Sequence, residues 1–265
     1  NTHTIFAIFA VLVLLPFSDF IVKLSQRIIP QREDEVRVME EKKLHYMTGM
    51  NNIPSSIAVT QTKQEISRMG EIAFDNLKTS LEYFFDHDEK KAEKVMANEE
   101  VVNYLDDAIV ASLAQLHTAS DMTKKDIDKL YHLTIAVVDF ERISDHATNI
   151  VEHEVELRDH KAKLSDVASR DLQELTQKCL KSVEACLQIF ESEDYTRLEE
   201  AKALEDAVDE AHQRILDAHV ERLKTAVCNP LANVIFSDLA TNLERCSDHA
   251  INIAFALAQA KESDQ

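Results

Sequence analysis

The 265-residue sequence contains no tryptophan, only two glycines and four prolines. A chain so poor in turn formers cannot make the many tight hairpins that a sheet protein of this length requires, whereas long helices joined by short loops need few. The composition therefore implies an all-α protein. Cysteine is scarce too, and Cys179, Cys186, Cys228 and Cys246 show no C-x-x-C spacing. Cys179 and Cys186 lie two turns apart on one predicted helix, about 10 Å along its axis and too far for a disulfide. That pattern fits a reducing compartment with apolar thiols on helix faces. Positive charge is in deficit: the formal net charge is −19. Nucleic acid is excluded as a partner, because binding it depends on neutralising phosphates with lysine and arginine. Multivalent cations or basic protein surfaces suit such a field, although a solvated helical surface is acidic for solubility as well. The sequence shows no nucleophile paired with a base, no glycine-rich phosphate loop and no zinc-type Cys/His spacing, so no enzyme is expected.

Long apolar runs are lacking except at the start. From Thr4 to Leu24 the chain reads TIFAIFAVLVLLPFSDFIVKL, close to the ~20 apolar residues that span a bilayer and interrupted by Pro16 and Asp19. It has no basic leader and no small-residue cleavage site, so a signal peptide does not fit. Lys23, Arg27, Arg32 and Arg37 follow, and positive flanks favour the cytoplasmic side. Residues 1–30 are expected to be a transmembrane helix of the inner or plasma membrane, with everything after about residue 30 cytoplasmic. The competing reading is an amphipathic helix packed on the rest of the protein. The missing initiator methionine suggests a fragment of a longer polypeptide. Residues 31–59 read as a connector that ends near Pro54.

Apolar spacing then becomes helical. Met69, Ile72, Ala73, Leu77, Leu81, Phe84 and Phe85 share one stripe, a second helix is predicted over about 90–117 and a third over about 124–160. The order recurs over 165–194, 195–223 and 231–260, the last with Pro230 at its first turn. ERISDHATNI at 141–150 matches ERCSDHAINI at 244–253 in eight of ten positions, at a constant spacing of 103 residues (141 to 244, 145 to 248). A period of about a hundred means two bundle-sized units rather than a solenoid. The predicted architecture is two tandem three-helix bundles, or one six-helix body, with repeats over 60–162 and 163–262.

On the third helix Leu130, Thr134, Val137 and Val138 lead at 3.6 residues per turn to Glu141, Asp145 and Thr148. Leu231, Val234 and Thr241 lead likewise to Glu244 and Asp248. Carboxylates on the extension of an apolar stripe are costly unless paired or bound to metal. Glutamate and aspartate at i and i+4 put two oxygen donors about 6 Å apart, which repel without a shared cation. On the second helices Glu205 and Asp209 repeat this spacing, and Glu99 with Asn103 is the degenerate counterpart. Two helices facing each other with such pairs would form an oxygen-rich cage for magnesium, manganese, iron or zinc. The alternative is structural: Glu141 and Glu244 pair with arginines, while Arg142 and Arg245 serve solubility. His146 and His249 sit about 100° round the helix from the aspartates, which favours supporting roles over ligation. A ferritin-like di-iron site would need Glu-x-x-His on two helices; the nearest approach is the lone Asp209-x-x-His212.

The doubled Glu-Arg-x-x-Asp-His motif, in the third helix of each of two three-helix units, resembles the PhoU family of phosphate-signalling proteins over about residues 60–260. That resemblance implies multinuclear iron or zinc clusters held by Glu/Asp-x-x-x-Asp motifs. It makes metal ligands of Glu141, Asp145, Glu244, Asp248, Glu205 and Asp209, with Glu99 beside an Asn103 that stands where a carboxylate is expected. The apolar run ending in LLPF, the basic exit and IPSSIAVTQTKQEISRM look like the junction in bacterial sodium/phosphate cotransporters that carry a C-terminal PhoU-like domain. By that likeness the partners are the membrane part of the same polypeptide, phosphate and sodium through that part, and a second copy in a homo-oligomer. The expected function is a non-catalytic, metal-binding cytoplasmic regulator of sodium-dependent phosphate cotransport. Its rival is a membrane-tethered acidic helical scaffold that binds a basic protein without metal.

Overall fold

The computed structural model describes residues 38, 40–47, 49, 53–117, 121–225 and 229–262. The chain divides into two compact units, Asn1–Glu40 and Glu41–Gln265. Among the described residues of the second are six helices: α1 (Ser55–Asp86), α2 (Glu89–Leu116), α3 (Lys124–Asp159), α4 (Asp166–Ser192), α5 (Leu198–Thr225), which follows a 3-10 turn at Tyr195–Arg197, and α6 (Pro230–Glu262). No strand occurs among the described residues. No described helix is long and apolar enough to cross a membrane; the expected transmembrane segment, residues 1–30, lies outside the described residues. Cys179, Cys186 and Cys246 are buried, free thiols, and Cys228 is not among the described residues.

Local chemistry fixes where the helices begin. Thr123 and Asp126 form a reciprocal capping box at α3, and the side chains of Asp88 and Ser165 accept backbone amides at the starts of α2 and α4. Asn229 accepts from the Leu231 and Ala232 amides at α6. Helix α1 starts at Ser55, inside the stretch assigned to the connector, because the Asp121 carboxylate accepts from both the Ser55 amide and its hydroxyl. With glycine so rare, α1 and α4 end on non-glycine residues in left-handed geometry, His87 (φ 60°) and Glu193 (φ 54°). These two caps are 106 residues apart (87 to 193), so the first two helices of each repeat keep one spacing. The motif on the third helices keeps 103.

Within each repeat the first helix packs on the second and third; the repeats join where α3 lies along α6 and α1 meets α4. Asp139 of α3 pairs with His249 of α6 while His146 of α3 bonds Asn242 of α6, so α3 and α6 run antiparallel. The segment that enters the body is fastened to α1. The fully buried Glu65 accepts the Tyr46 amide at 2.7 Å, and Arg68 reaches Glu65, Glu41 and the Lys43 carbonyl.

Gly70 is required by a close approach. A Cβ there would lie 2.5 Å from Cζ of Phe140 and 3.0 Å from Leu187, and Phe140 is itself wedged edge-on against Phe190 with ring centroids 5.5 Å apart. Alanine normally favours a helix interior by ~1 kcal/mol over glycine, but overpacking costs about 1–3 kcal/mol. Gly70→Ala is therefore expected to be net destabilising, lowering the urea midpoint at unchanged slope. An unchanged or raised midpoint would show that α1, α3 and α4 are not locked at this point.

Candidate metal centre

The carboxylates lie where the third helix of each repeat borders the second. On α3 the buried stripe runs through Leu130, Leu133, Val137, Phe140, Ser144 and Ala147, whereas Val138 is exposed and Glu141, Asp145 and Thr148 are half-buried. The acids therefore line the wall of a groove rather than continuing the core stripe. The reason is one of phase: Glu141 and Asp145 sit one position C-terminal to Phe140 and Ser144, about 100° round the helix.

In the second repeat the groove between α5 and α6 gathers three donors. Glu205 is buried, Asp209 exposed and Asp248 half-buried, and one carboxylate oxygen from each lies within 4.8 Å of the others. Burial raises the proton affinity of Asp209, and the charges of Glu205 and Asp248 raise it further. Asp248 is raised by burial and by Glu205. Glu244 is raised by burial and then by Asp248 and Asp209, which places it at the same cluster. The flanking cation is Lys202, paired with Glu205 and with Asp206. His212, one turn beyond Asp209, feels the Asp248 charge, and its Nε2 is buried without a hydrogen-bond partner. A crowd of carboxylates held above their ordinary proton affinity beside an unused imidazole nitrogen fits a hard or borderline cation with oxygen and nitrogen ligands.

The first repeat arranges its acids differently. Glu99 is buried and accepts from the Ser144 hydroxyl, which in turn accepts from Asn76 Nδ2 at 3.0 Å. Asn103 also bonds Glu99, and the Asp145 charge lies close by. The Arg142 guanidinium spans Asp145 at 3.1 Å and Glu141 at 3.5 Å. Even so, burial and the Asp145 charge push the Glu141 carboxyl up to about 7. No trio like that of the second repeat occurs among the described residues here.

Several contributors escaped the sequence reading. Asp106, raised by burial and close to Arg142 and Glu141, occupies in α2 the place of His212 in α5 (106 to 212), and that spacing was the available signal. Behind the grooves lies a doubled set of buried polar side chains. Asn76 and Ser144 are matched by Ser182 and Ser247, whose hydroxyls are 2.8 Å apart, and Ser80 is matched by Cys186, whose thiol is pushed up to about 12 by burial and the Glu205 charge. The motif histidines are not in the grooves. Their rings lie 5.8 Å apart between the repeats, His249 Nδ1 is 2.8 Å from Asp139 Oδ1, and burial holds His146 down at about 4.

The sequence pattern of the PhoU domain matches this chain twice, over residues 66–153 and 172–257. The chain belongs to the PhoU domain family. A phosphate-specific transport system accessory protein PhoU homolog of Xylella fastidiosa is 29% identical over 190 residues, covering 72% of this chain and 79% of that protein. PhoU homolog 1 of Thermotoga maritima is 24% identical over 195 residues, covering 74% and 83%. Crystal structures of PhoU from Streptococcus pneumoniae (TM-score 0.70, 16% identity, 79% of this chain and 97% of that one) and from Pseudomonas aeruginosa (0.71, 17%, 77% and 97%) share the fold. Both PhoU matches contain an acid groove, and in each the motif helix supplies one wall.

The first PhoU repeat yields a pH signature. Glu141 binds its proton more tightly in the folded chain, at about 7, than at the ordinary 4.5. Wild type therefore loses stability as pH rises from roughly 4.5 to 7 and loses no more from this group above that. Glu141→Gln, which keeps the shape without the charge, is expected to melt with wild type at pH 4 and above it at pH 8 in metal-free protein. A difference independent of pH would refute the assignment.

Proposed function

We propose that this chain is a non-catalytic, metal-binding regulatory domain of phosphate transport. In this polypeptide it follows the last transmembrane helix of a sodium-dependent phosphate cotransporter, formed by residues 1–30, and works on the cytoplasmic side. The relatives' names as accessory proteins of phosphate transport support the first part. The apolar run before a basic flank supports the second. The observation that carries the metal reading is the Glu205, Asp209 and Asp248 trio, whose oxygens converge within 4.8 Å with raised proton affinity at Asp209 and Asp248. A cation that displaces those protons relieves the repulsion at once. Oxygen donors with His212 nearby suit iron or zinc, and magnesium or manganese would be held by the oxygens alone. The roles follow from position: Glu205 and Asp209 from α5, Glu244 and Asp248 from α6, and in the first repeat Glu99, Glu141 and Asp145.

The rival reading, an acidic scaffold with structural salt bridges, has two observations in its favour, the Arg142 bridge over Glu141 and Asp145 and the Lys202 pairing with Glu205. Protein purified without chelator is expected to carry iron, zinc or another divalent ion by elemental analysis and to lose thermal stability on EDTA treatment. Asp248→Ala is expected to remove most of the bound metal, and Asp145→Ala a smaller share. Metal-free wild type whose melting ignores both EDTA and added ions would leave only the scaffold. The cotransporter context is tested separately by the coding sequence upstream of Asn1: duplicated membrane segments are expected, and a start methionine there removes that part alone.

A further inference from the structure

The groove that holds the acids of the second repeat continues past them. From Asp209 the same face of α5 runs, at steps of three, seven, eleven and fourteen residues, through His212, Leu216, Val220 and Leu223. Leu216 is half-buried, whereas Val220 and Leu223 are 51% and 44% exposed. Helices α5 and α6 lie antiparallel, since Glu244 feels the Asp209 charge toward one end and the His219 ring stacks on Phe236 at 4.5 Å toward the other. Val234, two residues before Phe236 and 58% exposed, therefore stands level with Val220.

On α6 the positions that continue the face of Glu244 and Asp248 are Thr241 and Ser237, both small. Their hydroxyls bond back to carbonyls of their own helix, at Ser237 and Asn233. The result is a trough about four turns long, roughly 21 Å from Asp209 to Leu223, acidic at one end and apolar at the other. Leu216 and Val220 correspond to Val110 and Ala114 of α2 at the spacing of 106 (110 to 216), but in the first repeat Arg142 already bridges the acids. In the second repeat no arginine does so among the described residues, and the trough is open to a cation from outside.

The order of groups along the trough decides the occupant. Lys202 reaches Glu205 and Asp206, while Asp209, Glu244 and Asp248 keep a proton affinity raised by burial and by neighbouring carboxylates. A free ion meets that need but gains nothing from the aliphatic floor, and an acidic or wholly apolar chain leaves the carboxylates unanswered. A helix with a cation at one end and apolar side chains along one face satisfies both ends. Laid between α5 and α6, it would be the fourth member of a bundle that the three helices of the repeat leave open. Asp217 and Asp238, both exposed beside the trough, and the −19 charge of the chain favour a basic helix over an acidic one.

We propose that the trough between α5 and α6 is the docking site for a basic amphipathic helix of a partner protein. Its apolar face lies on Leu216, Val220, Leu223 and Val234, and a lysine or arginine of its last turn enters the space among Asp209, Glu244 and Asp248. Cations near a helix C-terminus also complement its dipole, which fixes the direction of the chain. A surface of this size makes a weak complex, with Kd on the order of 10 µM. The side-chain cation and a metal ion answer the same carboxylates, so a bound ion expels the helix, and metal status sets whether the partner is held. In this last respect alone the proposal rests on the metal reading.

The test is fluorescence anisotropy of a labelled synthetic peptide, about four turns long with leucines along one face and lysines in its last turn. It is titrated with the full chain in phosphatidylcholine nanodiscs, in EDTA and ~0.15 M salt, with empty nanodiscs as the background. Val220→Glu and Val234→Glu are each expected to weaken binding about tenfold or more, and Val138→Glu in the first repeat to leave it unchanged. Moving the lysines to the first turn, or replacing them by glutamates, is expected to cost about as much with wild-type protein. No binding above empty nanodiscs overturns the proposal, as does binding indifferent to both trough variants or equally weakened by Val138→Glu. A change in the sedimentation of the chain alone on Val220→Glu assigns the trough to another copy and overturns it too. Zinc is expected to weaken the peptide about tenfold or more, and equal affinity in protein that elemental analysis shows to be loaded overturns the competition. Protein that takes up no metal refutes the metal reading, and the peptide arms then decide the docking by themselves. The peptide variants need no change in the protein, so a poorly folding trough variant does not decide the outcome.

Discussion

Mutual repulsion among carboxylates held in helical grooves is the constraint around which this molecule is organised. In the second repeat Glu205, Asp209, Glu244 and Asp248 come from two helices that must pack closely to bury Val208, Ile215, Leu239 and Leu243. The packing that satisfies those side chains forces the acids together. At Asp209, Glu244 and Asp248 burial and like charge then act in the same direction, each raising the affinity for a positive partner. A helix pair with neutral residues at these places would pack at least as well, because replacing buried charge by well-packed apolar groups is often neutral or stabilising. The acids thus cost stability in the metal-free chain, a cost that a bound cation would remove.

The buried polar side chains behind the grooves follow from the same constraint. Asn76, Ser144, Ser182 and Ser247 are fully excluded from solvent, where an unbonded hydroxyl or amide costs a few kcal/mol. In the first repeat they connect α1 to α3 and then to Glu99, so a carboxylate on α2 takes its orientation from a helix that it does not share. In the second, Ser182 and Ser247 tie α4 to α6 one residue before Asp248. In the first repeat these bonds end on Glu99 itself, and in both repeats they tie the first helix to the third, the helix that carries the motif acids.

Much of this was legible in the chain, and what was hidden has a common cause. The scarcity of glycine and proline, with apolar periodicity near 3.6, is enough for six helices, and Pro230 marks the first turn of the last one. The identity of ERISDHATNI and ERCSDHAINI exposes the duplication. Periodicity cannot say which edge of an apolar stripe faces solvent: Val138 reads as core beside Val137, yet it is exposed because the neighbouring helices cover only the other side. Nor can it say which helix a histidine meets. His146 and His249 look like supports for the adjacent aspartates, but the antiparallel crossing of α3 and α6 turns them toward Asn242 and Asp139, pairs separated by about a hundred residues. Asp106 was hidden for a different reason, since its counterpart is a histidine and only spacing relates them.

The two repeats answer the same electrostatic problem in unequal ways. In the first, Arg142 lies on the same helix as the acids it bridges, so its guanidinium is held near them by the backbone and must be displaced before an ion can approach both carboxylates. In the second, the corresponding Arg245 is exposed like Arg142 but forms no ion pair with the groove acids among the described residues, and the cation near the groove is Lys202, about half accessible on α5. A lysine on a flexible stem is a point charge that solvent can take up at small cost, whereas a guanidinium with two carboxylate partners gives up more on leaving. Asn103 in place of Asp209's counterpart removes one negative charge from the first groove, but Asp106 in the place of His212 restores it, so the two grooves differ in the cations beside their acids rather than in the number of acids. Divergence has therefore moved charge balance inside the polypeptide on one side of the pseudo-symmetric body and left it open on the other, while Asp139 and His249 still bind the two sides into one unit.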